Sequence, residues 1–524
     1  MSATTPPENT PVLIGFGQIV NRHITTAEHV LSPVDLASQA AQQALIIDKL
    51  SNKDTAPLVS QIDTLAVVRS MIDNRIEVTH PFGSSNNPPQ SIATRIGANP
   101  SRLIYGPIGG QSPQQLVNEM AEAIYAGDSD MALICGAEAT GAMRLALRNQ
   151  WSLDWSEQLD NQFEDKGIKR VTSDFERAHH INYAIHTYAL FENAWRYKQG
   201  LSIPQHQQLM AEMIASFSQI AANNPFAQFP IIRDKAFLAS PSKDNFAVNT
   251  LYNKWLVAQD AVNQGAAVVM TSVNKARALG IDEDQWVYLH GYADAEDSAV
   301  SQRPDLGASN AIKETSKQAL AMAGKVVQDI DLLDLYSCFP IAVLAACDAL
   351  GIDWKSTKSL TVTGGLACFG GAGNNYSLHA IAEMCARLVK TPGKFGMVSA
   401  NGGFLSKQSV GVYSTTPVLD WQPAQANSAQ QAVDQQHTVE VLGHYDGEGV
   451  IESYCLIYVK GQPDTASIIG RIEKTQQRFL AKLNSDDRQT LEQLLPNNPE
   501  PIGRKVTVMS KDNECFFEFS SSLI

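Results

Sequence analysis

The sequence predicts an α/β protein made of two similar halves, with a small β-rich domain after them. Strand and helix patterns alternate along most of the chain, which favours mainly parallel sheets. A glycine turn, a helix, a strand and a small-residue turn follow one another in residues 109–137 and again in residues 364–403. We interpret this repeat as an internal duplication; the alternative is the ordinary succession of elements in any α/β protein. Short strand patterns dominate after residue 439 and favour a barrel-like domain there.

The length and composition exclude several classes of protein. The 524 residues are too many for one hydrophobic core, and 44% hydrophobic with 18% charged residues is typical of a globular chain. The formal net charge of −14 repels a phosphate backbone, so we expect no nucleic-acid partner. Net charge does not describe a single cleft, which can still be basic.

The cysteines and the N-terminus indicate the compartment. Seven cysteines without a CxxC pair predict reduced, mostly buried thiols. The first ten residues contain neither a basic residue nor an apolar block, so they do not resemble a signal peptide. No apolar stretch reaches the roughly 20 residues of a membrane span. We therefore expect a cytoplasmic protein without a membrane partner.

The first half contains the best-defined helix of the chain. Its predicted strands are 11–17, 62–69 and 130–135, and its predicted helices are 33–47 and 112–126. In the helix over 112–126, Leu116, Met120 and Ile124 recur at every fourth position and predict an apolar face. We expect Ser112 to cap this helix and Pro113 to take its first position.

An insertion is expected to separate this half from the next one. Residues 146–249 are rich in aromatic, His, Gln and charged residues, unlike the core segments on either side. Their histidines at positions 179, 180 and 186 are interpreted as ordinary residues of this insertion, so no metal site is expected. The predicted domains are a flexible tail 1–10, a first half 11–145 and 250–280, the insertion 146–249, a second half 281–420, a linker 421–438 and a small β-rich domain 439–524.

Several segments resemble the thiolase superfamily. They are ALFENAWR at 189–196, NPFAQF at 224–229, NQGAAVVMTS at 263–272 and VIESYCLIYV at 450–459. The chain is most similar to sterol-carrier-protein thiolases and to bacterial thiolase-like proteins with an added C-terminal domain. The resemblance implies a duplicated thiolase fold with layers α-β-α-β-α, a helical and loop insertion, and a CoA thioester as partner. It also implies a homodimer, unless the extra domain blocks the pairing of first-half sheets.

The same resemblance indicates what has become of the two thiolase cysteines. The nucleophilic cysteine precedes the buried helix of the first half, where Gly110 stands here, and its neighbour Ser112 is a minor alternative nucleophile. The second cysteine follows the last core strand, and Ser399 replaces it. Asn401, Gly402 and Gly403 complete that turn, whose N–H groups are expected to bind an oxyanion or the substrate.

Two further loops carry the remaining candidates. Where sterol-carrier thiolases have His-Asp-Cys-Phe, this chain has Tyr336-Ser337-Cys338-Phe339. Tyr336 is either a hydrogen-bond donor to the substrate or a packed aromatic residue, and Cys338 is either the remaining thiol candidate or an inert cysteine. Where thiolases have Gly-His-Pro, strict alignment places Gly371 at the histidine, and a small gap places Asn374 there.

His379 follows in the first turn of the next helix. Its side chain is expected either to lean back toward the cleft or to pair with a neighbour and take no part in chemistry.

These residues leave three functions open. The first is an acyltransferase-like enzyme of lipid metabolism that acts on acyl-CoA without the cysteine acyl-enzyme, including retro-aldol cleavage of a 3-hydroxyacyl-CoA. The second is a CoA-binding scaffold without turnover, and the third is acyl transfer through Cys338. In each case CoA or acyl-CoA is the ligand, and no other cofactor is expected.

Overall fold

The computed structural model describes residues 5–47, 56–74, 80–355, 358–425 and 428–520. Its strands are β1 Pro11–Val20, β2 Thr64–Val67, β3 Arg102–Tyr105, β4 Met131–Glu138, β5 Glu164–Asp165, β6 Gln264–Ser272, β7 Val287–Glu296, β8 Leu332–Leu335, β9 Phe395–Gly402, β10 Lys407–Ser414, β11 Val441–Leu442, β12 Gly447–Val459, β13 Gln462–Arg471, β14 Arg478–Leu483, β15 Lys505–Lys511 and β16 Glu514–Phe519. Its α-helices are α1 Pro33–Ala44, α2 Ala56–Val59, α3 Pro88–Ile96, α4 Ser112–Ala126, α5 Thr140–Arg148, α6 Asp174–Ala178, α7 Ala184–Lys198, α8 Ile203–Ala222, α9 Lys235–Ala239, α10 Val273–Ala278, α11 Asn310–Met322, α12 Pro340–Leu350, α13 Tyr376–Lys390, α14 Ser428–Asp434 and α15 Arg488–Gln493.

The strand order confirms the predicted duplication. The large sheet runs β5-β3-β2-β4-β6-β1-β7-β10-β9-β8. From the middle of the sheet outward, one side has the order β1-β6-β4-β2. The other side has the corresponding order β7-β10-β9-β8. The pairing directions also agree, because the β2–β4 and β8–β9 pairs are parallel whereas the β4–β6, β6–β1, β9–β10 and β10–β7 pairs are antiparallel. The two halves are therefore related by a pseudo-two-fold axis between β1 and β7.

Two buried helices lie between the halves. Helix α4 of the first half and helix α13 of the second contact each other and share one apolar core with both halves of the sheet. Leu116, Met120 and Ile124 face this core, as the spacing predicts, together with Leu378 and Ile381 of α13. Helices α1 and α3 cover the outer face of the first half, and α11 and α12 cover that of the second. This is the expected α-β-α-β-α layering.

The insertion and the C-terminal domain are separate additions to this frame. Helices α6 to α9 lie between β5 and β6 in sequence and pack on the second half. Strands β11 to β16 form a second sheet in which β14 also pairs with β16, so that five strands close into a small barrel. The predicted β-rich domain is confirmed. Helix α7 packs against strand β12, which fixes the barrel on the insertion.

Two predicted connections are packed rather than loose. In the predicted linker, Trp421 is buried and its indole N–H donates to the Leu289 carbonyl at 2.8 Å, while Ala429 and Val433 of α14 pack on the sheet. In the predicted tail, the carbonyl of Thr10 accepts from the N–H of Val273 at 2.9 Å. Residues 1–4 and 426–427 of these segments lie outside the described residues.

Candidate active site

A cleft of about 1000 Å³ lies where loops of both halves meet the insertion. The first half contributes the turn before α4, the insertion contributes residues around α6 and α7, and the second half contributes the loops after β8 and β9. The carboxyl ends of β8 and β9 and the N-terminus of α4 converge on the same place. Eight candidate residues line the cleft: Gly110, Tyr336, Cys338, Gly371, Asn374, Asn401, Gly402 and Gly403.

Gly110 has no room for a side chain. A Cβ atom at this position would lie 2.6 Å from the carbonyl oxygen of Asn401 and 2.7 Å from Cζ of Tyr336, and it would overlap the Tyr336 hydroxyl group. Such distances are shorter than the contacts of real Cβ atoms. The position at which the resemblance to thiolases places the nucleophile is thus filled by a phenol group that reaches over from the second half.

Tyr336 presents this phenol as a neutral donor. The residue is 7% exposed, and its ring packs edge-on against Tyr376 at 5.4 Å. Among the described residues the hydroxyl group has no hydrogen-bond partner, although Tyr336 lines the cleft. Burial raises the pKa of Tyr336 well above its ordinary value, so the proton stays on the oxygen. The group is therefore ready to donate to a ligand atom.

Cys338 lies two residues further along the same loop. Its thiol is partly buried, and the side-chain amide of Asn401 approaches its sulfur at 3.6 Å. Burial raises the pKa of the Cys338 thiol to about 12, because the thiolate would lose its hydration. The thiolate is the nucleophilic form, so this environment opposes a nucleophilic role at neutral pH.

The Asn401 side chain at the end of β9 is held from two sides. Its amide oxygen accepts from the Gln408 side-chain amide at 3.0 Å, and its amide N–H donates to the Tyr188 hydroxyl at 2.8 Å. Gly403 adopts a left-handed conformation with φ 64°, which a glycine tolerates without strain. The backbone N–H groups of Gly110 and Gly403 have no acceptor among the described residues. Two donors at the cleft are thus available to an oxyanion.

Asn374 and Gly371 belong to the loop that carries the thiolase Gly-His-Pro motif in the resemblance. The amide of Asn374 donates to the carbonyl of Arg69 at 2.8 Å, so that donor is already engaged. The N–H of Gly371 donates to the Gln259 carbonyl at 2.8 Å. Below this loop the Glu138 carboxyl group accepts from the Met71 N–H at 2.6 Å, and burial raises its pKa to about 8. Asn374 and Gly371 therefore form part of the cleft wall.

Three candidate residues lie outside the lining of the cleft. His379 is fully buried, its Nδ1 meets the Gln18 amide oxygen at 2.9 Å, and burial lowers its pKa to about 3. Ser399 is buried within β9 opposite Val410. Ser112 is not the helix cap, because Gln111 precedes the helix and the Ser112 hydroxyl is buried without a partner among the described residues. These side chains cannot reach a ligand in the cleft without rearrangement.

Comparison with known proteins identifies the family. The model of the thiolase-like protein type 1 additional C-terminal domain matches residues 428–513, and that of the thiolase C-terminal domain-like family matches residues 293–358. The crystal structure of a monomeric SCP2-thiolase like protein type 1 from Mycobacterium smegmatis is 36% identical, covers 98% of this chain and 100% of its own, and has a TM-score of 0.82. The chain belongs to the thiolase-like proteins of type 1.

More distant relatives carry the names of enzymes. An acetyl-CoA acetyltransferase of Methanothermobacter thermautotrophicus is 27% identical over 176 residues, which is 30% of this thiolase-like protein and 44% of that enzyme. The chain thus matches less than half the length of this curated relative. The structure of acetyl-CoA acetyltransferase from Syntrophomonas wolfei has a TM-score of 0.55 at 16% identity, covering 78% of this chain and 100% of its own. This likeness concerns the fold alone.

The thiolase-like protein also has cleft residues that sequence reasoning missed. The hydroxyl group of Tyr188 in α7 accepts from the Asn401 amide, and its ring stacks on Phe339 with ring centroids 4.3 Å apart. Tyr188 lies in the insertion, where no motif indicated a role for it. Four cationic residues, Lys169, Arg170, Arg177 and Lys407, line the cleft although the chain as a whole is acidic. The sequence places them in segments without a recognisable motif. Only the folded chain brings them together.

Two features are absent from the described residues. None of the helices in the described ranges has both the length and the apolar composition needed to cross a bilayer. Within the same ranges, no group of three His, Cys, Asp or Glu side chains is arranged to hold a metal ion.

Proposed function

We propose that this thiolase-like protein binds a CoA thioester in the cleft and acts on its acyl group without a cysteine acyl-enzyme. The main support for this proposal is that other groups fill the space in which a side chain at position 110 would lie. An acyl-enzyme needs a nucleophilic atom at the start of α4, and that space holds the Tyr336 hydroxyl and the Asn401 carbonyl. The remaining thiol, Cys338, has a pKa of about 12. Binding and donation of hydrogen bonds are thus the functions that the cleft retains.

The walls of the cleft suit the two ends of such a ligand. CoA carries several phosphate charges, which cations attract, and Lys169 and Arg177 stand at the cleft for this role. An acyl chain and the pantetheine arm prefer apolar walls, which Phe339 and Leu366 supply. The local charge is therefore opposite to the net charge of −14.

The donors at the cleft favour chemistry through an enolate. A thioester enolate bears its charge on the oxygen, where the free N–H groups of Gly110 and Gly403 and the Tyr336 hydroxyl can donate. A 3-hydroxyacyl-CoA can be cleaved in this way, because a retro-aldol reaction needs an enolate sink and a base but no nucleophile. We propose this reaction as the specific activity. The names of the relatives describe transfer of an acetyl group. Transfer through an acyl-enzyme requires a nucleophilic side chain that accepts the acetyl group, and the cleft lacks one.

The test compares thioesters and protein mass in one experiment. The full chain is incubated with acetyl-CoA, a 3-oxoacyl-CoA and a 3-hydroxyacyl-CoA, and the products and the intact protein mass are recorded. We expect a shorter acyl-CoA and an aldehyde from the hydroxy compound, with no added acyl mass in the native chain or in Cys338→Ser. An acyl group on Cys338 contradicts the proposal. CoA binding without consumption of any thioester leaves a scaffold as the function.

Binding of CoA is tested separately by calorimetry. Lys169 is exposed and ion-paired with Glu296, so Lys169→Gln leaves the core intact while removing one cation from the cleft. We expect the affinity for CoA to fall about three- to tenfold, as for the loss of one charge-assisted contact. Lys198→Gln is the matched control, because Lys198 is equally exposed and pairs with Asp305 away from the cleft.

Further observations support a proposal for the assembly and the location. Strand β5 pairs with β3 and occupies the outer edge of the first-half sheet, and the similar protein from Mycobacterium smegmatis is described as monomeric. We therefore propose a monomer of 57.0 kDa in place of the expected homodimer, which light scattering tests directly. All seven cysteines are free, which supports a reducing compartment such as the cytoplasm.

A further inference from the structure

Lys407 is a buried amine at the wall of the cleft. The residue is 4% exposed, although lysine side chains are rarely buried without a partner. Its Nζ donates only to backbone carbonyls, that of Lys169 at 3.3 Å and that of Ile108 at 3.5 Å. No carboxylate oxygen of the described residues lies within salt-bridge distance of it. Both bonds are long, and an ammonium group has a third donor, so this group is incompletely satisfied.

The position of this amine relates it to the proposed reaction. Lys407 is the first residue of β10 and pairs with Gly402 across the hairpin, so it stands beside the turn that supplies the oxyanion donors. Ile108, which accepts from its Nζ, lies two residues before Gly110. Lys407 also lines a neighbouring cavity of about 630 Å³ on its other side. Lys407 therefore borders both the cleft and this second cavity.

We propose that Lys407 is the catalytic acid–base residue of the cleft. This inference rests on the proposed cleavage of a 3-hydroxyacyl-CoA, and it supplies the base that this reaction requires. Among the other titratable groups that line the cleft, Tyr336 and Cys338 retain their protons at neutral pH, and the Asp260 carboxylate is ion-paired with Arg144 at 2.6 Å. His379 is outside the cleft.

Each proton and electron pair of the step has a destination. The neutral Nζ takes the proton of the 3-hydroxyl group, the bond between C2 and C3 breaks, and its electrons pass into the thioester as an enolate. The N–H groups of Gly110 and Gly403 and the Tyr336 hydroxyl hold the enolate oxygen. C2 then takes the proton from the ammonium group of Lys407. The products are an aldehyde or ketone and a shortened acyl-CoA, and no further reactant is needed.

The charges around Lys407 agree with a titrating role. Burial lowers the pKa of Lys407, and the positive charge of Lys169 lowers it further, whereas Glu296 of β7 raises it. Glu296 is itself ion-paired with Lys169, which reduces its effect on Lys407. A lowered pKa increases the neutral fraction of this amine, and the neutral form is the one that can accept a proton.

The first test uses turnover of a 3-hydroxyacyl-CoA by the full chain. General-base catalysis contributes about 100- to 10,000-fold, so we expect Lys407→Ala to lose at least 100-fold in kcat with little change in CoA affinity. Added primary amines such as methylamine should restore part of the rate to this variant and none to Tyr336→Phe. Lys198→Met, an exposed lysine far from the cleft, is the control and should keep full activity. An unchanged kcat in Lys407→Ala overturns the inference.

The second test requires no turnover. Lysines labelled as ¹³C-dimethyl amines are titrated by NMR in the native chain, and the signal of Lys407 is assigned by its absence in Lys407→Arg. We expect this signal to titrate at a lower pH than those of exposed lysines. An ordinary titration together with turnover shows that another residue is the base. A lowered titration without consumption of any thioester shows that the proposed function is wrong, and the catalytic role of Lys407 is then wrong with it.

Discussion

The side-chain amide of Asn401 donates a 2.8 Å hydrogen bond to the hydroxyl oxygen of Tyr188, which belongs to helix α7 of the insertion. The same oxygen accepts from the Leu405 N–H at 3.0 Å. A residue of the insertion thus fixes the turn between β9 and β10, which contains Gly402 and Gly403. The insertion is therefore a structural part of the candidate active site and more than a cover over it.

Removal of this hydroxyl group should disturb the turn. In Tyr188→Phe the Leu405 N–H and the Asn401 amide lose a buried acceptor, so we expect the free energy of unfolding to fall by about 1–3 kcal/mol. Consumption of thioester should fall as well, because the oxyanion donors lose their support. Chemical denaturation and product analysis measure the two effects. Tyr183→Phe is the control, since Tyr183 is half exposed, and an equal loss there refutes this explanation.

Restoring the thiolase cysteine should not restore a thiolase. In Gly110→Cys the new Cβ collides with the Tyr336 hydroxyl, and overpacking of this kind costs about 1–3 kcal/mol. We expect a lower melting temperature and no acyl-enzyme by mass spectrometry. The double variant Gly110→Cys with Tyr336→Ala should relieve only the collision with the phenol group, because the Asn401 carbonyl oxygen still lies 2.6 Å from the new Cβ.

Gly443→Cys is the matched control for this substitution. No atom lies within 4 Å of a Cβ at Gly443, so the exposed loop should accept the cysteine without loss. If Gly110→Cys is as stable as this control, Tyr336 moves aside freely and steric overlap does not exclude a side chain at position 110.

The general plan of the fold could be predicted because it depends on local patterns. The apolar face of α4 and the repeated turns follow from residue spacing, and both were confirmed. The packing of the predicted linker could not be foreseen, because its many Gln and Ala residues suit either a loose chain or a short helix. The burial of Trp421, which decides between these, depends on tertiary contacts that composition does not show.

The candidate site could be predicted only where the resemblance to thiolases supplied positions. Gly110, Tyr336 and Asn401 were found in this way, and the structure brings them together. His379 was considered because it begins a helix near the cleft, but its ring turns to Gln18. Lys407 and Tyr188 belong to no motif, because their roles arise from long-range packing.

Cys338 should react slowly with alkylating reagents. With a pKa of about 12, its thiolate fraction at pH 8 is roughly a thousandfold below that of an ordinary cysteine, so iodoacetamide should modify it in proportion. The rate should rise about tenfold for each pH unit from 8 to 10 without a plateau. Peptide mapping follows the reaction, with Cys338→Ser as the blank. A plateau near pH 8 to 9 indicates an ordinary thiol and reopens acyl transfer through sulfur.

His179 should make the attachment of the C-terminal barrel sensitive to acid. Its Nε2 accepts from the Cys515 N–H of β16 at 2.9 Å, so in the neutral ring the proton is on Nδ1, which donates to the Phe175 carbonyl at 2.7 Å. Protonation of Nε2 destroys the bond to the barrel. Burial lowers the pKa of His179, Lys482 and His180 lower it further, and Glu514 raises it.

The sign of the pH effect follows from this lowered pKa. Below about pH 6.5 the unfolded chain binds a proton at His179 that the folded chain does not, so stability is complete above pH 6.5 and falls as the solution becomes more acidic. His179→Gln keeps an acceptor for the Cys515 N–H but cannot titrate. Between pH 6.5 and 5 we expect this variant to lose less stability than the native chain, measured by denaturation at each pH. His444→Gln, at an exposed site of the same domain, should follow the native curve. Equal pH slopes for the native chain and His179→Gln would show that the acid sensitivity resides elsewhere.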